Sequence, residues 1–252
     1  MRDADFPFLG YDDVLDAVVR CAGVTPGMAV LDLGTGTGSL IERLLSTPVG
    51  MKPDIDLWGA DFSEEMLVRA RARIQGVRFV KMDLLAPCWP AEMARSFDRI
   101  VSAYVFHEFD LETKLSLLRR LVHDHLAPGG RIVIGDIAFP TAEMRAAAHQ
   151  RWETWWDEDE AYWAADETTA ALSSLGLDVA YTQVSACAGV FTLARRHESA
   201  TIRPTLRAPS QPRRGPLPRR HRAHRPAHVG RSAPASGAHR GPRTPRSPGA
   251  LR

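Results

Sequence analysis

The stretch Val30-Leu31-Asp32-Leu33-Gly34-Thr35-Gly36-Thr37-Gly38 is a short apolar strand running directly into three glycines at alternate positions. Glycine at such places lets the backbone turn tightly and come within contact distance of a ligand, which a Cβ would prevent. The stretch therefore reads as the seat of a nucleotide-class ligand. A dinucleotide fingerprint needs a further glycine three positions after the second, so that a pyrophosphate reaches the helix N-terminus. Ser39 stands there instead. The loop suits a ligand whose moiety beside it is not a phosphate.

Outward from this loop, strand and helix signals alternate. Residues 11–22 carry Val14, Leu15, Val18 and Val19 on one helical face and end at Thr25-Pro26-Gly27. Residues 29–33 form the first strand, and Leu40, Ile41, Leu44 and Leu45 mark a helix closed by Pro48 and Gly50. A second strand is expected over 56–61. Ser63 is placed to cap the next helix, Glu64 and Glu65 suit its positive end, and Met66, Leu67, Ala70 and Ile74 form its inward face up to Gly76. Strands follow at 77–81 and 97–102. Asp110 caps a helix expected to turn Leu111, Leu115, Leu118 and Val122 inward, and residues 131–137 make the fifth strand after Ala127-Pro128-Gly129-Gly130.

Five strands with helices between them predict a three-layer α/β domain with a mostly parallel sheet, whose ligands bind beyond the carboxyl ends of the strands. Residues 141–175 read as mostly helical. Strands at 177–184 and 188–194 are joined by only Ser185-Ala186-Cys187, too short for a parallel crossover. The sheet is thus expected to gain a reversed strand near the end of the domain.

Charge divides the 252-residue chain in two. Residues 197–252 hold thirteen arginines, no lysine and one acid, Glu198; that +12, against +2 for the whole chain, leaves residues 1–196 at −10. The same stretch holds ten of the eighteen prolines and few large apolar side chains. It is read as a disordered tail behind a domain of residues 1–196. Three readings of the tail stay open: plain disorder, out-of-frame read-through of a GC-rich gene, or an arm that meets nucleic acid through its phosphates. Without aromatics or lysine it is not built to stack on bases. The start of the chain shows no basic segment followed by an apolar run, and no stretch is long enough to span a membrane, so no membrane partner and a cytoplasmic location are expected. Cys21, Cys88 and Cys187 stand apart with no histidine at ligand spacing, which reads as reduced thiols and no metal site.

Four stations in sequence order resemble the class I S-adenosylmethionine-dependent methyltransferases over roughly residues 11–195: the glycine loop of 30–38, Gly59-Ala60-Asp61, Lys81-Met82-Asp83-Leu84, and Leu126-Ala127-Pro128-Gly129-Gly130, followed by the final hairpin. The chain is most similar to small, stand-alone bacterial members. The resemblance implies a Rossmann-like seven-stranded fold, S-adenosylmethionine as cofactor and a small-molecule methyl acceptor. By it, Gly34, Thr35, Gly36 and Gly38 lie against the methionine and ribose, with Asp32 supporting the loop or reaching the ammonium. Asp61 takes the ribose diol, a charge-assisted fork. Asp83 takes the adenine amino group, Leu84 flanks the ring, and Phe62 and Met66 either cover its other face or pack in the core.

Strand four leads into Ser102-Ala103-Tyr104-Val105-Phe106-His107-Glu108-Phe109, beside the transferable methyl by the same resemblance. Ser102 would border the cofactor and Tyr104 the acceptor. An acceptor hydroxyl or ammonium must lose a proton, and His107, with Glu108 second, is the candidate base; packing is the alternative for the histidine. The segment lacks the Asn/Asp-Pro-Pro-Tyr/Phe of members that methylate nucleobases or protein amides. Four of the six tryptophans fall at 152, 155, 156 and 163, around Asp157-Glu158-Asp159-Glu160. Trp152 and Trp156 are expected either in a lid over the acceptor or packed on the sheet. A cofactor-binding regulatory protein without efficient transfer is the competing functional class.

Overall fold

The computed structural model describes residues 10–48 and 54–196. The expected tail of 197–252 and the turn at Gly50 lie outside the described residues. The strands are β1 Ala29–Leu33, β2 Asp56–Asp61, β3 Arg78–Lys81, β4 Phe97–Ala103, β5 Leu126–Phe139, β6 Trp163–Ala164, β7 Leu177–Gln183 and β8 Ala188–Arg195. The helices are α1 Tyr11–Ala22, α2 Ser39–Leu45, α3 Glu64–Arg73, α4 Leu111–Arg120, α5 Ala142–Arg151 and α6 Ala165–Ser174. The sheet runs β3-β2-β1-β4-β5-β8-β7, with β6 paired to β5 off this path. All pairings are parallel except those of β8, which runs antiparallel to both β5 and β7. Among the described residues, no helix is long and apolar enough to cross a membrane.

Two-residue periodicity builds a core on each face of this sheet. Leu31, Ile100, Ile132 and Ile134 point into one apolar cluster, and their neighbours Val30, Val101 and Val133 into the other. Strands buried on both sides read as continuous apolar runs, as these do. Chain order reverses beside β1, which pairs with β2 on one side and β4 on the other; Leu33 is in register with both Ala60 and Ser102. Crevices at such a reversal, outside the strand ends, are where open α/β sheets bind ligands.

Local capping works as the residues suggest. The Ser63 hydroxyl accepts the Met66 N–H at 3.3 Å, Asp110 accepts that of Thr113 at 2.7 Å, and Thr141 accepts that of Met144 at 3.1 Å. Four expectations need correction. Helix α3 ends at Arg73 rather than running to Gly76, because Ile74 turns extended and packs its buried side chain beneath Gly38. Helix α4 buries Lys114, Leu117 and Leu118 and leaves Leu111 exposed, since its inward face is set by where Lys114 reaches. The 141–175 stretch is broken between α5 and α6 by an extended segment that carries β6. Strand β5 starts early, at Leu126, and a register shift against β4 between Phe97 and Arg99 absorbs the Pro-Gly-Gly sequence.

Candidate active site

A cavity of about 1110 Å³ opens at the carboxyl ends of β1, β2 and β4. Its floor is the glycine loop. Gly34 and Thr35 donate their N–H groups to Ala60 O at 2.8 and 3.0 Å, which lashes the loop to β2. The three glycines are required for different reasons. A Cβ on Gly34 would overlap the branched side chain of Val105, and one on Gly38 would run into Ile74. A Cβ on Gly36 would meet no protein atom within 4 Å. Gly36 borders the cavity with a φ of 53°, so its bare backbone faces the space a ligand would occupy.

Asp61 stands at the end of β2 with one oxygen accepting the Gly36 N–H and the other the Ser63 N–H, both at 2.8 Å. The residue is only 8% exposed and lines the cavity. Asp32 lies deeper and accepts the Thr35 hydroxyl at 2.7 Å. Burial pushes its carboxyl up to about 7; the hydroxyl of Thr35 opposes the shift and the charge of Asp61 adds to it. Asp83 follows β3 and binds the Leu85 N–H at 2.8 Å. Phe62 is 74% exposed and Met66 39%, two apolar side chains held at the cavity rim, with buried Leu84 also in the wall.

Beyond β4, Tyr104 takes a φ of 56°, unusual for a bulky residue, and donates its N–H to Gly135 O at 2.9 Å. Its ring stacks on Tyr11 of α1 at 5.3 Å between centroids. Both rings line the cavity, as does Glu108. His107 does not. Its ring is buried behind Glu108, with Nδ1 2.6 Å from Asp136 Oδ1 and its own N–H donated to Asp136 Oδ2. Burial alone would lower this imidazole, but the charge and hydrogen bond of Asp136, helped by Glu160 and Glu108, outweigh it and hold His107 above the ordinary histidine range. Asp136 is held low against its own burial, mainly by His107, with the Trp163 indole N–H as a further donor at 3.0 Å.

The structure therefore brings Asp32, Gly34, Thr35, Gly36, Asp61, Phe62, Met66, Asp83, Leu84, Tyr104 and Glu108 around one cavity. Gly38 is set back against Ile74. Ser102 is buried in the sheet, its hydroxyl donating to Leu33 O at 2.8 Å. Trp152 and Trp156 pack on Phe139, at 6.5 and 6.0 Å between centroids, on the second core and away from the cavity wall. Tyr11 and Leu15 are wall residues; from sequence Leu15 belongs only to an apolar helix face and Tyr11 only to the start of that helix. No local pattern marks them, because only packing of α1 on β5 carries them there.

The residues present fit S-adenosylmethionine: a paired acid at the end of β2, a second acid after β3, apolar surface for a ring between them, and an open glycine backbone. The Methyltransferase domain family model matches residues 30–130. An uncharacterized methyltransferase of Geobacillus kaustophilus is 30% identical over 192 residues, which is 71% of this chain and 80% of that protein. One from Oceanobacillus iheyensis is 30% identical over 149 residues, covering 57% of this chain and 62% of that one. The demethylmenaquinone methyltransferase of Thermus thermophilus is 38% identical over 116 residues, 44% of this chain and only 47% of the relative. Among solved structures, the DhpI-SAM-HEP complex superposes with a TM-score of 0.56 at 20% identity, covering 75% of this chain and 90% of the other. That likeness speaks to the fold. The chain belongs to the methyltransferase domain family, in the class I group whose methyl donor is S-adenosylmethionine.

Proposed function

We propose that this protein transfers a methyl group from S-adenosylmethionine to a small-molecule acceptor. The observation that carries the reading is Asp61, whose two oxygens are pinned by the Gly36 and Ser63 N–H groups while the carboxylate still borders the cavity. A carboxylate so oriented accepts from both hydroxyls of a ribose without reorganising. Asp83 takes the adenine amino group, with Phe62, Met66 and Leu84 against the ring. Asp32, Gly34, Thr35 and Gly36 hold the methionine, and Gly38 and Ser102 shape the loop and strand from behind. A concave space of about 1110 Å³ is of the order that takes a cofactor and a small acceptor together, which favours a metabolite over a macromolecule.

When bound, S-adenosylmethionine supplies a methyl group already activated on a sulfonium. The protein's task is then alignment and exclusion of water. Tyr104, stacked on Tyr11, borders the acceptor space, and Glu108 is the carboxylate in that wall able to take a proton. His107, with Nε2 3.7 Å from Glu108 Oε1, acts through Glu108 rather than by direct contact. Trp152 and Trp156 support the acceptor side by packing.

The reading predicts that labelled S-adenosylmethionine binds the protein and that Asp61→Ala weakens binding at least a hundredfold. Two hydrogen bonds to a charged acceptor are worth about 1.5–3 kcal/mol each, and each 1.4 kcal/mol is about tenfold. Wild-type affinity in that variant would end the cofactor assignment. Incubation with the labelled cofactor and a metabolite extract should move label into an acceptor. Tight binding with no labelled product in any extract would favour a regulatory cofactor-binding protein.

A further inference from the structure

Behind Glu108 the chain gathers ionisable groups from three segments. His107 and Glu108 form the short turn after β4, Asp136 lies in β5, and Glu160 belongs to the extended segment before β6. Two contacts draw that segment in: the Ala161 N–H donates to His107 O at 2.7 Å, and buried Lys114 donates from Nζ to Ala161 O. The imidazole is almost wholly buried, and Asp136 occupies Nδ1 at 2.6 Å. Nε2 is thereby aimed at Glu160 Oε1 at 3.6 Å and Glu108 Oε1 at 3.7 Å. Both separations are too long for hydrogen bonds, whose heavy-atom distances end near about 3.2 Å. They match the spacing of about 3.4 Å between ligands of a tetrahedral ion with bonds of about 2.1 Å.

A second observation points the same way. The other oxygen of Glu160, Oε2, is buried and makes no hydrogen bond of ordinary geometry among the described residues, with the Tyr162 hydroxyl acting on the same carboxylate. Leaving a carboxylate oxygen so costs free energy that native structures avoid. Three carboxylates surround one imidazole; Lys114 is a further cation acting on Asp136, while Glu160 and the exposed Glu108 both face Nε2. A carboxylate on Nδ1 with Nε2 turned to other anionic groups is the arrangement that orients a metal-binding histidine.

We propose that His107 Nε2, Glu108 and Glu160 bind a divalent transition-metal ion of the Mn²⁺ or Zn²⁺ kind at the inner wall of the cavity, with Asp136 as the positioning residue behind the imidazole. Their ligand atoms all lie within 4.8 Å of one another. One imidazole with two carboxylates suits these ions better than Mg²⁺ or Ca²⁺, which prefer oxygen alone. Three protein ligands leave positions open on the ion. Glu108 also lines the cavity, so those positions are reached from the acceptor side, and an acceptor with a hydroxyl or carboxylate oxygen is the class that fits. The spacing of the histidines and cysteines gave no sign of this, since the ligands meet only through the turn after β4 and the segment before β6.

The test is calorimetric titration of the full-length, chelator-stripped protein with MnCl₂ and with ZnCl₂, beside Glu108→Gln and Glu160→Gln. The expected result is one saturable ion per chain, bound at least tenfold more weakly in each variant. Glu108 is exposed enough that its variant folds even if Glu160→Gln does not. Absence of a saturable site, or wild-type affinity in Glu108→Gln, overturns the proposal; the second outcome would put the ion on other groups such as Cys88 or the histidines beyond residue 196. Binding that survives Asp61→Ala separates this site from the cofactor reading.

Discussion

Single residues decide whether the cavity is a binding site or only a gap in the packing. Gly34 and Gly36 sit two apart in the same loop, yet their neighbours differ. Alanine at Gly34 carries left-handed strain of roughly 1–2 kcal/mol and overlaps stiff Val105, for about 1–3 kcal/mol more. Alanine at Gly36 carries the strain alone and places its methyl in the cavity. Thermal melts should therefore show Gly34→Ala as the less stable variant, while cofactor titration shows Gly36→Ala binding poorly despite a near-native fold. The reverse order would mean that the loop does not face the ligand. Asp32 adds a dependence on pH. Burial raises its carboxyl to about 7, so below that pH it is neutral, and under the proposed function a methionine ammonium beside it loses its counter-charge. Cofactor affinity is expected to fall, by up to about tenfold per unit, as pH drops below 7. In Asp32→Asn the affinity should be lower at pH 8 and flat across this window, and a slope retained in that variant would assign the titration elsewhere.

At the level of elements, α1 is the piece that closes the cavity from above the sheet. It can lie on β5 only because Gly135 has no side chain: a Cβ there would stand 2.5 Å from Val14 Cγ1 and 2.6 Å from Val18 Cγ2. Both neighbours are β-branched and have few alternative rotamers. Gly135→Ala is expected to cost about 1–3 kcal/mol, seen as a lower unfolding midpoint, and to disturb acceptor turnover by lifting Tyr11 from Tyr104. An unchanged midpoint would show that the helix has room to move. The segment between α5 and α6 is fastened from the other side by Lys114, whose ammonium lies 4.4 Å from the Trp163 ring centroid. Burial lowers this lysine to about 8, a sign of how far the segment covers it. A helix-period scan of α4 favours Leu111 over Lys114 as an inward residue, because periodicity ranks residues by hydropathy and does not register a carbonyl waiting at the far side.

Over the whole molecule, the alternation of strands and helices, the glycine loop and the acids that follow β2 and β3 were legible without coordinates. Each of these is a local signal: two-residue and helical periodicity, a backbone that must turn without a Cβ, and a carboxylate a fixed distance beyond a strand. The reversed strand β8 was legible as well, since so short a connection between strands allows no other arrangement. Tertiary structure alone decided which of the candidate residues share a space. Trp152 and Trp156 pack on Phe139 instead of lining the cavity, Tyr11 and Leu15 enter its wall, and His107 is buried behind Glu108 with Nδ1 on Asp136. Periodicity reports which face of an element is apolar, but the meeting of His107, Asp136 and Glu160 depends on how far β4, β5 and the segment before β6 advance past one another. That is set by long-range packing, and no spacing along the chain encodes it.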